Sequence, residues 1–257
     1  MPIFRESGMS YWAPRKDLSG GKETIVFVHG AGGGQLSWSF QKGFFERDFY
    51  PILLDLPGHG ESGGHGEDDI GRYAEHVHSL IRALRLPKLF LVGHSMGGAI
   101  AQTLALSRPD ALKGIVLAGT GAKLKVLPAV LTGIKNDFEN TVRNIVQFAF
   151  SRRVSAELIE RGTTQLLKCP PEVLYGDFLA CDRFDLLKEV EKIDLPTLII
   201  CGKEDEMTPV KYSEYLRRQI RGSRIEILPG AGHMVMMESP EAFNRTLKEF
   251  VQALFKK

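Results

Sequence analysis

Cysteine is scarce. The 257 residues hold three, Cys169, Cys181 and Cys201, an odd number at wide spacing that fits neither a disulfide framework nor a Cys-x-x-Cys metal or redox motif. A reducing cytoplasm is the simplest compartment for such a chain. An excess of one charge is also lacking: 33 Lys+Arg stand against 31 Asp+Glu, a net +2, so no bulk field favours nucleic acid or an anionic membrane surface. No segment approaches the roughly 20 apolar residues of a membrane helix. The opening Met1-Pro2-Ile3-Phe4-Arg5-Glu6 carries no uninterrupted apolar stretch of signal-peptide length. Neither nucleic acid nor membrane is therefore expected as a partner. Metal-ligand spacing is missing too, because His76 and His78 are two apart and share no helix face. Neither a metal nor a cofactor is expected. Tandem repeats and low-complexity tracts are not evident.

What is present is a globular composition, 43% hydrophobic and 25% charged, in a length that suits one α/β domain with an insertion. Continuous apolar runs at residues 24–29, 49–55, 88–92, 114–118, 197–201 and 224–228 read as buried, mostly parallel strands. Segments around Ile3 and Tyr11, with a Ser19-Gly20-Gly21 turn before Thr24, suggest an antiparallel hairpin at one sheet edge. Ile70, Tyr73, Ala74, Val77, Leu80, Ile81 and Leu84 recur at helical spacing, as do Phe243, Leu247, Phe250 and Leu254. Thr208-Pro209 and Ser239-Pro240 each read as an N-cap followed by proline at the first helical position. The βα alternation implies a doubly wound sheet. It breaks at residues 123–192, where helical patterns around 124–134, 138–150, 156–167 and 173–187 predict an inserted helical cap between core segments 1–122 and 193–257.

Glycine is the compositional oddity, 27 residues clustered at 30–34, 58–66 and 93–98. The segment Leu89 to Ala101 is a strand, a sharp turn with glycine two positions either side of Ser95, and a helix, which is the context of a nucleophile elbow. A serine hydroxyl needs a base and an acid that orients the base. Asp205 follows one apolar strand and His233 another, giving the order Ser, Asp, His at the carboxyl ends of strands, the edge where α/β sheets bind ligands. Glu204, in the same acidic run, is the second choice for the acid. Acyl transfer also needs N–H donors for the developing oxyanion. The glycine-rich segment after the first buried strand offers the amide of Ala31, or failing that Gly32, to pair with the amide of Met96. A phosphate-binding glycine loop is disfavoured, since Gln35 occupies the position where the dinucleotide fingerprint requires glycine.

His29-Gly30, the Asp55-Leu56-Pro57-Gly58-His59-Gly60-Glu61-Ser62 turn, the Gly93-His94-Ser95-Met96-Gly97 elbow, the Asp205 loop and Gly232-His233 together resemble the α/β-hydrolase superfamily over nearly the whole chain. The resemblance implies an eight-stranded, mostly parallel sheet flanked by helices. It also implies a serine hydrolase of the carboxylesterase kind, working on a small or medium-sized ester through an acyl-enzyme. Two alternatives stay open: a carbon–carbon bond hydrolase or lyase of the same fold, for which Arg143, Arg152 or Arg153 would line a polar pocket, and a ligand-binding receptor that retains the triad. Gly32, Met207 and Met234 are expected at the substrate, with Met236 and Met237 crowding the same loops, where thioethers either line an adaptable pocket or simply pack. His59 is expected to be structural, His94 to point away from the reacting side, and Trp38 to bury against the oxyanion loop.

Overall fold

The computed structural model describes residues 3–6, 8–15 and 21–255. One sheet of eight strands runs through the molecule in the order β1-β2-β4-β3-β5-β6-β7-β8. Strands β1 (Ile3–Glu6) and β2 (Met9–Trp12) form the antiparallel edge hairpin, and β2 pairs antiparallel with β4 (Tyr50–Leu54). The Ser19-Gly20 part of the expected turn lies outside the described residues. Strands β4, β3 (Thr24–Val28), β5 (Leu89–His94), β6 (Leu112–Ala118), β7 (Thr197–Gly202) and β8 (Arg224–Leu228) run parallel to one another.

Both faces of the central strands are covered, which is why β3 to β7 read as continuous apolar runs, whereas the edge strand β8, expected to be buried, alternates Ile with Arg and Glu and is mostly exposed because no described strand pairs on its outer side. Successive side chains alternate between two cores. Val26, Val28, Leu91, Ile115 and Leu117 face one core with α2 (Ile70–Ala83) and α3 (Met96–Ser107). Phe27, Val92, Val116, Ala118 and Ile200 face the other with α1 (Ser39–Phe45) and α10 (Pro240–Phe255). Trp38 is buried in this second core, tilted 5.1 Å from Phe27 and 6.1 Å from Phe243 and edge-on to His94 at 6.5 Å, so its partners are the sheet and α10.

Between β6 and β7 lie four helices, α4 (Pro128–Asn136), α5 (Phe138–Ala149), α6 (Ala156–Leu167) and α7 (Pro171–Arg183). The first starts later than the apolar pattern suggested, because residues 124–127 are not helical and Leu127 is extended before Pro128, a residue that suits a helix start and disfavours helix in the residue before it. An isolated bridge between Lys123 and Asp185 closes the base of the segment. Ile145, Val173, Leu174 and Phe178 build a small core of their own there, against which Ala31 and Met207 pack. Helix α8 (Val210–Gln219) corrects one expectation: Pro209 occupies the cap position with no side-chain cap bond, and the Thr208 hydroxyl is given to Asp205 at 2.8 Å. A bond to a buried carboxylate outweighs one to a helix amide because charge-assisted hydrogen bonds are about twice as strong. Helix α9 (Val235–Glu238) precedes α10, which begins at Pro240 as its sequence suggested.

Candidate active site

Ser95 joins β5 to α3 with φ 52° and ψ −115°, a left-handed conformation that costs a non-glycine residue about 1–3 kcal/mol. The surroundings enforce it. The Ser95 N–H is held by the Ala118 carbonyl at 2.9 Å, while a side chain on Gly93 would press into the Gly97 carbonyl and one on Gly97 into the Val28 carbonyl. The strand therefore passes directly into the helix and leaves Ser95 on the wall of a cavity. Met96 opens α3, so its N–H has no partner inside the helix, and no acceptor takes it among the described residues. The helix N-terminus adds its positive end at the same place.

His233 and Asp205 meet across the ends of β8 and β7, with Nδ1 of the imidazole 2.9 Å from Asp205 Oδ2. Four donors saturate the carboxylate. Oδ1 accepts the backbone N–H groups of Met207 and Thr208 at 2.9 and 2.7 Å, and Oδ2 accepts the Thr208 hydroxyl beside the imidazole. Burial pushes the Asp205 carboxyl up, but the His233 ring and these hydrogen bonds outweigh it and hold the group below its ordinary value. The carboxylate is thus charged, and it fixes the proton of His233 on Nδ1, leaving Nε2 as a base. Glu204, the second candidate acid, lies outside this contact and faces Arg153 at 3.8 Å with a third of its side chain exposed. The position of His233 is set from behind by Ala149 at the end of α5, whose carbonyl accepts the His233 and Met234 N–H groups at 2.9 and 3.1 Å. Glu238 bridges the N–H groups of Gly232 and Ser151 at 3.0 and 2.8 Å, a clamp that no pattern in the sequence announces.

His94 turns its ring onto that of His233, 4.7 Å away, and Nε2 donates to the His233 carbonyl at 3.0 Å. Burial, and next the neighbouring His233, pull its pKa down to about 3, so it stays neutral and serves as a brace.

The glycine-rich loop after β3 is built by His29. Its Nε2 accepts the Leu56 N–H at 3.0 Å, so Nδ1 carries the proton and donates to the Gly30 carbonyl at 2.8 Å. Burial, and next the charge of His59, lower its pKa to about 4, which keeps this tautomer neutral. The Gly30 carbonyl also accepts the Gly33 N–H at 3.0 Å. Because the peptide is trans, the Ala31 N–H points the opposite way, and among the described residues no acceptor takes it. The Gly32 N–H is spent on Asp177 Oδ2 at 2.7 Å, so of the two expected donors only Ala31 remains available.

Ala31, Gly32, Ser95, His233, Met207 and Met234 all border one cavity of about 390 Å³. Ile145, Val146 and Phe150 from α5 and its end give it an apolar wall, and Arg161 and Lys168 of the α6 region stand at its more polar side. Met237 is on the lining, whereas Met236 is fully buried in the second core and serves packing. Arg143, Arg152 and Arg153 are off the lining: their side chains are mostly exposed and face Glu139, Glu206 and Glu204. Long cationic side chains keep their heads in water, and none of the three supplies the polar pocket that a carbon–carbon hydrolase was expected to need.

His59, expected to be structural, is partnered by Asp177, which no sequence motif marks. His59 Nδ1 faces the Pro57 carbonyl at 3.0 Å and Nε2 faces Asp177 Oδ2 at 2.8 Å, so both nitrogens donate and the ring is a cation. Asp177 also accepts the Tyr73 hydroxyl at 2.5 Å. An acid on an otherwise apolar helix face was the signal available, but its partners lie far away in the chain. No group of three or more His, Cys, Asp or Glu poised to hold a metal occurs among the described residues.

A doubly wound sheet with a strained serine at the end of one strand and an Asp–His pair at the ends of two others defines the hydrolase class of α/β proteins. The chain belongs to the alpha/beta hydrolase family, whose model matches residues 25–246. It is similar to a structurally characterised thermophilic esterase, with 34% identity and a TM-score of 0.82 over 98% of this chain and 97% of that one. Among curated proteins it is 26% identical to a pimeloyl-[acyl-carrier protein] methyl ester esterase of Neisseria meningitidis, covering 93% of this chain and 96% of the relative. A putative 2-succinyl-6-hydroxy-2,4-cyclohexadiene-1-carboxylate synthase of Bacillus subtilis is 29% identical over 90% of this chain and 91% of its own length.

Proposed function

We propose that the protein is a serine hydrolase that cleaves a carboxylic ester of a small or medium-sized substrate through an acyl-enzyme. One observation carries the reading: a strained Ser95 shares a cavity with His233, and the imidazole is oriented by a charged Asp205 whose every oxygen is hydrogen-bonded. Ser95 Oγ attacks the ester carbonyl as His233 Nε2 takes its proton. The carbonyl oxygen becomes an anion between the free N–H groups of Ala31 and Met96, two donors of the kind whose individual loss costs about 2.7–4 kcal/mol of barrier. Collapse breaks the C–O bond, and His233 returns the proton to the leaving alkoxide. Water then repeats the cycle on the acyl-Ser95, releasing the acid. The names of the esterase relatives support the ester as substrate class.

The helices between β6 and β7 act as the expected cap, residues 123–192, closed at its base by the Lys123–Asp185 bridge. Gly32, Met207 and Met234 form part of the acyl pocket beneath it. A cytoplasmic setting fits three cysteines that are all buried and unpaired. No helix among the described residues is long and apolar enough to cross a membrane.

The test is turnover of p-nitrophenyl esters of increasing acyl length by wild type and Ser95→Ala. Serine-dependent turnover with an optimum at short or medium chains is expected. Turnover that survives Ser95→Ala overturns the reading. Tight ligand binding without turnover by wild type would instead favour a receptor, and faster cleavage of a vinylogous diketone than of any ester a carbon–carbon hydrolase.

A further inference from the structure

The loop that carries the Ala31 amide is a tight turn. Gly33 N–H closes onto the Gly30 carbonyl, and Gly32, third in the turn, has φ +62°, the signature of a type II turn. Types I and II differ by a flip of the central peptide, here Ala31–Gly32, which carries the Ala31 carbonyl and the Gly32 N–H, and no bond within the turn holds that peptide. What fixes it is Asp177 Oδ2 on α7, which accepts the Gly32 N–H at 2.7 Å across 145 residues of sequence. The carboxylate is fully buried and is itself immobilised by His59 at 2.8 Å and Tyr73 at 2.5 Å. Leu166 and Leu174, from α6 and α7, close over the Gly32 α-carbon, where an added methyl group would have to push both side chains aside. The helices over the cavity therefore reach the oxyanion loop through one polar contact and one apolar lid.

We propose that Asp177 is a positioning residue for acyl transfer: by holding the Gly32 amide it anchors the turn just after the donor, and so keeps the Ala31 N–H, carried on the adjoining Gly30–Ala31 peptide, in place beside the developing oxyanion. The inference rests on the esterase reading above. Asp177 touches neither substrate nor nucleophile and acts only through the loop. Its effect belongs to the transition state, where the donor is needed, and not to ground-state binding.

The experiment compares wild type, Ser95→Ala, Asp177→Asn and Asp177→Ala in full-length protein. It measures kcat and KM on p-nitrophenyl butyrate and the affinity for an aliphatic trifluoromethyl ketone, to which Ser95 adds to leave an oxyanion in the same place. Asp177→Ala is expected to lower kcat on the order of 10–100-fold with KM within about twofold, because misplacing a donor forfeits part of its 10²–10³-fold contribution. Ketone affinity should fall by the same factor as kcat/KM. Asp177→Asn keeps an acceptor for Gly32 and is expected to rescue most of the loss, leaving kcat about three- to fivefold down because the neutral acceptor is weaker. If Asp177→Ala does not fold, Asp177→Asn carries the test alone. As a stability control, Phe250→Leu, buried in the opposite core, lowers the melting temperature without changing kcat. Values of kcat and ketone affinity within twofold of wild type in every folded Asp177 variant overturn the proposal. Should Ser95→Ala stay active, the esterase reading fails first; should Ser95→Ala be inactive while the Asp177 variants are normal, only this inference fails.

Discussion

Replacing Asp205 by asparagine tests the site most sharply, because the hydrogen bonds dictate which way the new amide must sit. Oδ1 accepts two backbone N–H groups at 2.9 and 2.7 Å, and those donors cannot turn away, so the amide oxygen must take that position. The amide nitrogen then faces His233 Nδ1 and the Thr208 hydroxyl, where the native oxygen accepts at 2.9 and 2.8 Å. Two donors would confront each other unless the imidazole moves its proton to Nε2. In that tautomer His233 cannot accept the proton of Ser95. The same change in other Ser-His-Asp enzymes drops kcat by about 10⁴, which at 1.36 kcal/mol per tenfold is about 5.4 kcal/mol of barrier. Steady-state hydrolysis of p-nitrophenyl butyrate at pH 7.5 should show a loss of about 10³–10⁴ in kcat, with KM nearly unchanged. Glu204→Gln, which touches only a solvent-exposed pair with Arg153, should stay within about twofold of wild type. A kcat for Asp205→Asn within tenfold of wild type, or a larger loss in Glu204→Gln, would refute the assignment.

Further expectations follow from the same contacts. Gly32→Ala puts a methyl group against Leu166 and Leu174 at a positive φ, and should lower both kcat and the melting temperature, the latter read by differential scanning calorimetry. Met234→Trp adds bulk to the lining and should move the acyl-length optimum to shorter esters. Stability should peak near pH 6.5 in urea titrations. Below it, unfolded His29 and His94 take up protons that the folded protein refuses until about pH 4 and 3, so stability falls as pH falls. Above it the sign reverses for His59. Burial lowers its pKa, but the Asp177 charge and hydrogen bond raise it well above the usual value, so its stabilisation is full below pH 6.5 and fades as pH rises through the folded value. Asp177→Asn should flatten that alkaline limb.

The sequence by itself determined the fold class and offered the residues from which the proposed site is built. Strand positions were legible because strands covered on both faces must be continuously apolar. The elbow was legible because a serine at φ 52° between close-packed backbones permits only glycine at positions 93 and 97. The glycine spacing is a local pattern, although the backbone that Gly97 must clear, Val28, belongs to the neighbouring strand. What spacing could not supply was any contact chosen by packing. The choice of Asp205 over Glu204 depended on which carboxylate β7 carries to the imidazole, and Thr208, read as a helix cap, proved to be a donor to that carboxylate. The second candidate donor was removed in the same way: the motif offers Ala31 first and Gly32 second, and the arrival of Asp177 from α7 occupies Gly32. Arg143, Arg152 and Arg153, which only the carbon–carbon alternative would have used in the pocket, face surface carboxylates instead. Hydrophobic periodicity and turn chemistry act over a few residues and are written in the chain. A buried carboxylate must find its donors wherever the fold brings them, and that is settled only once the tertiary structure has closed.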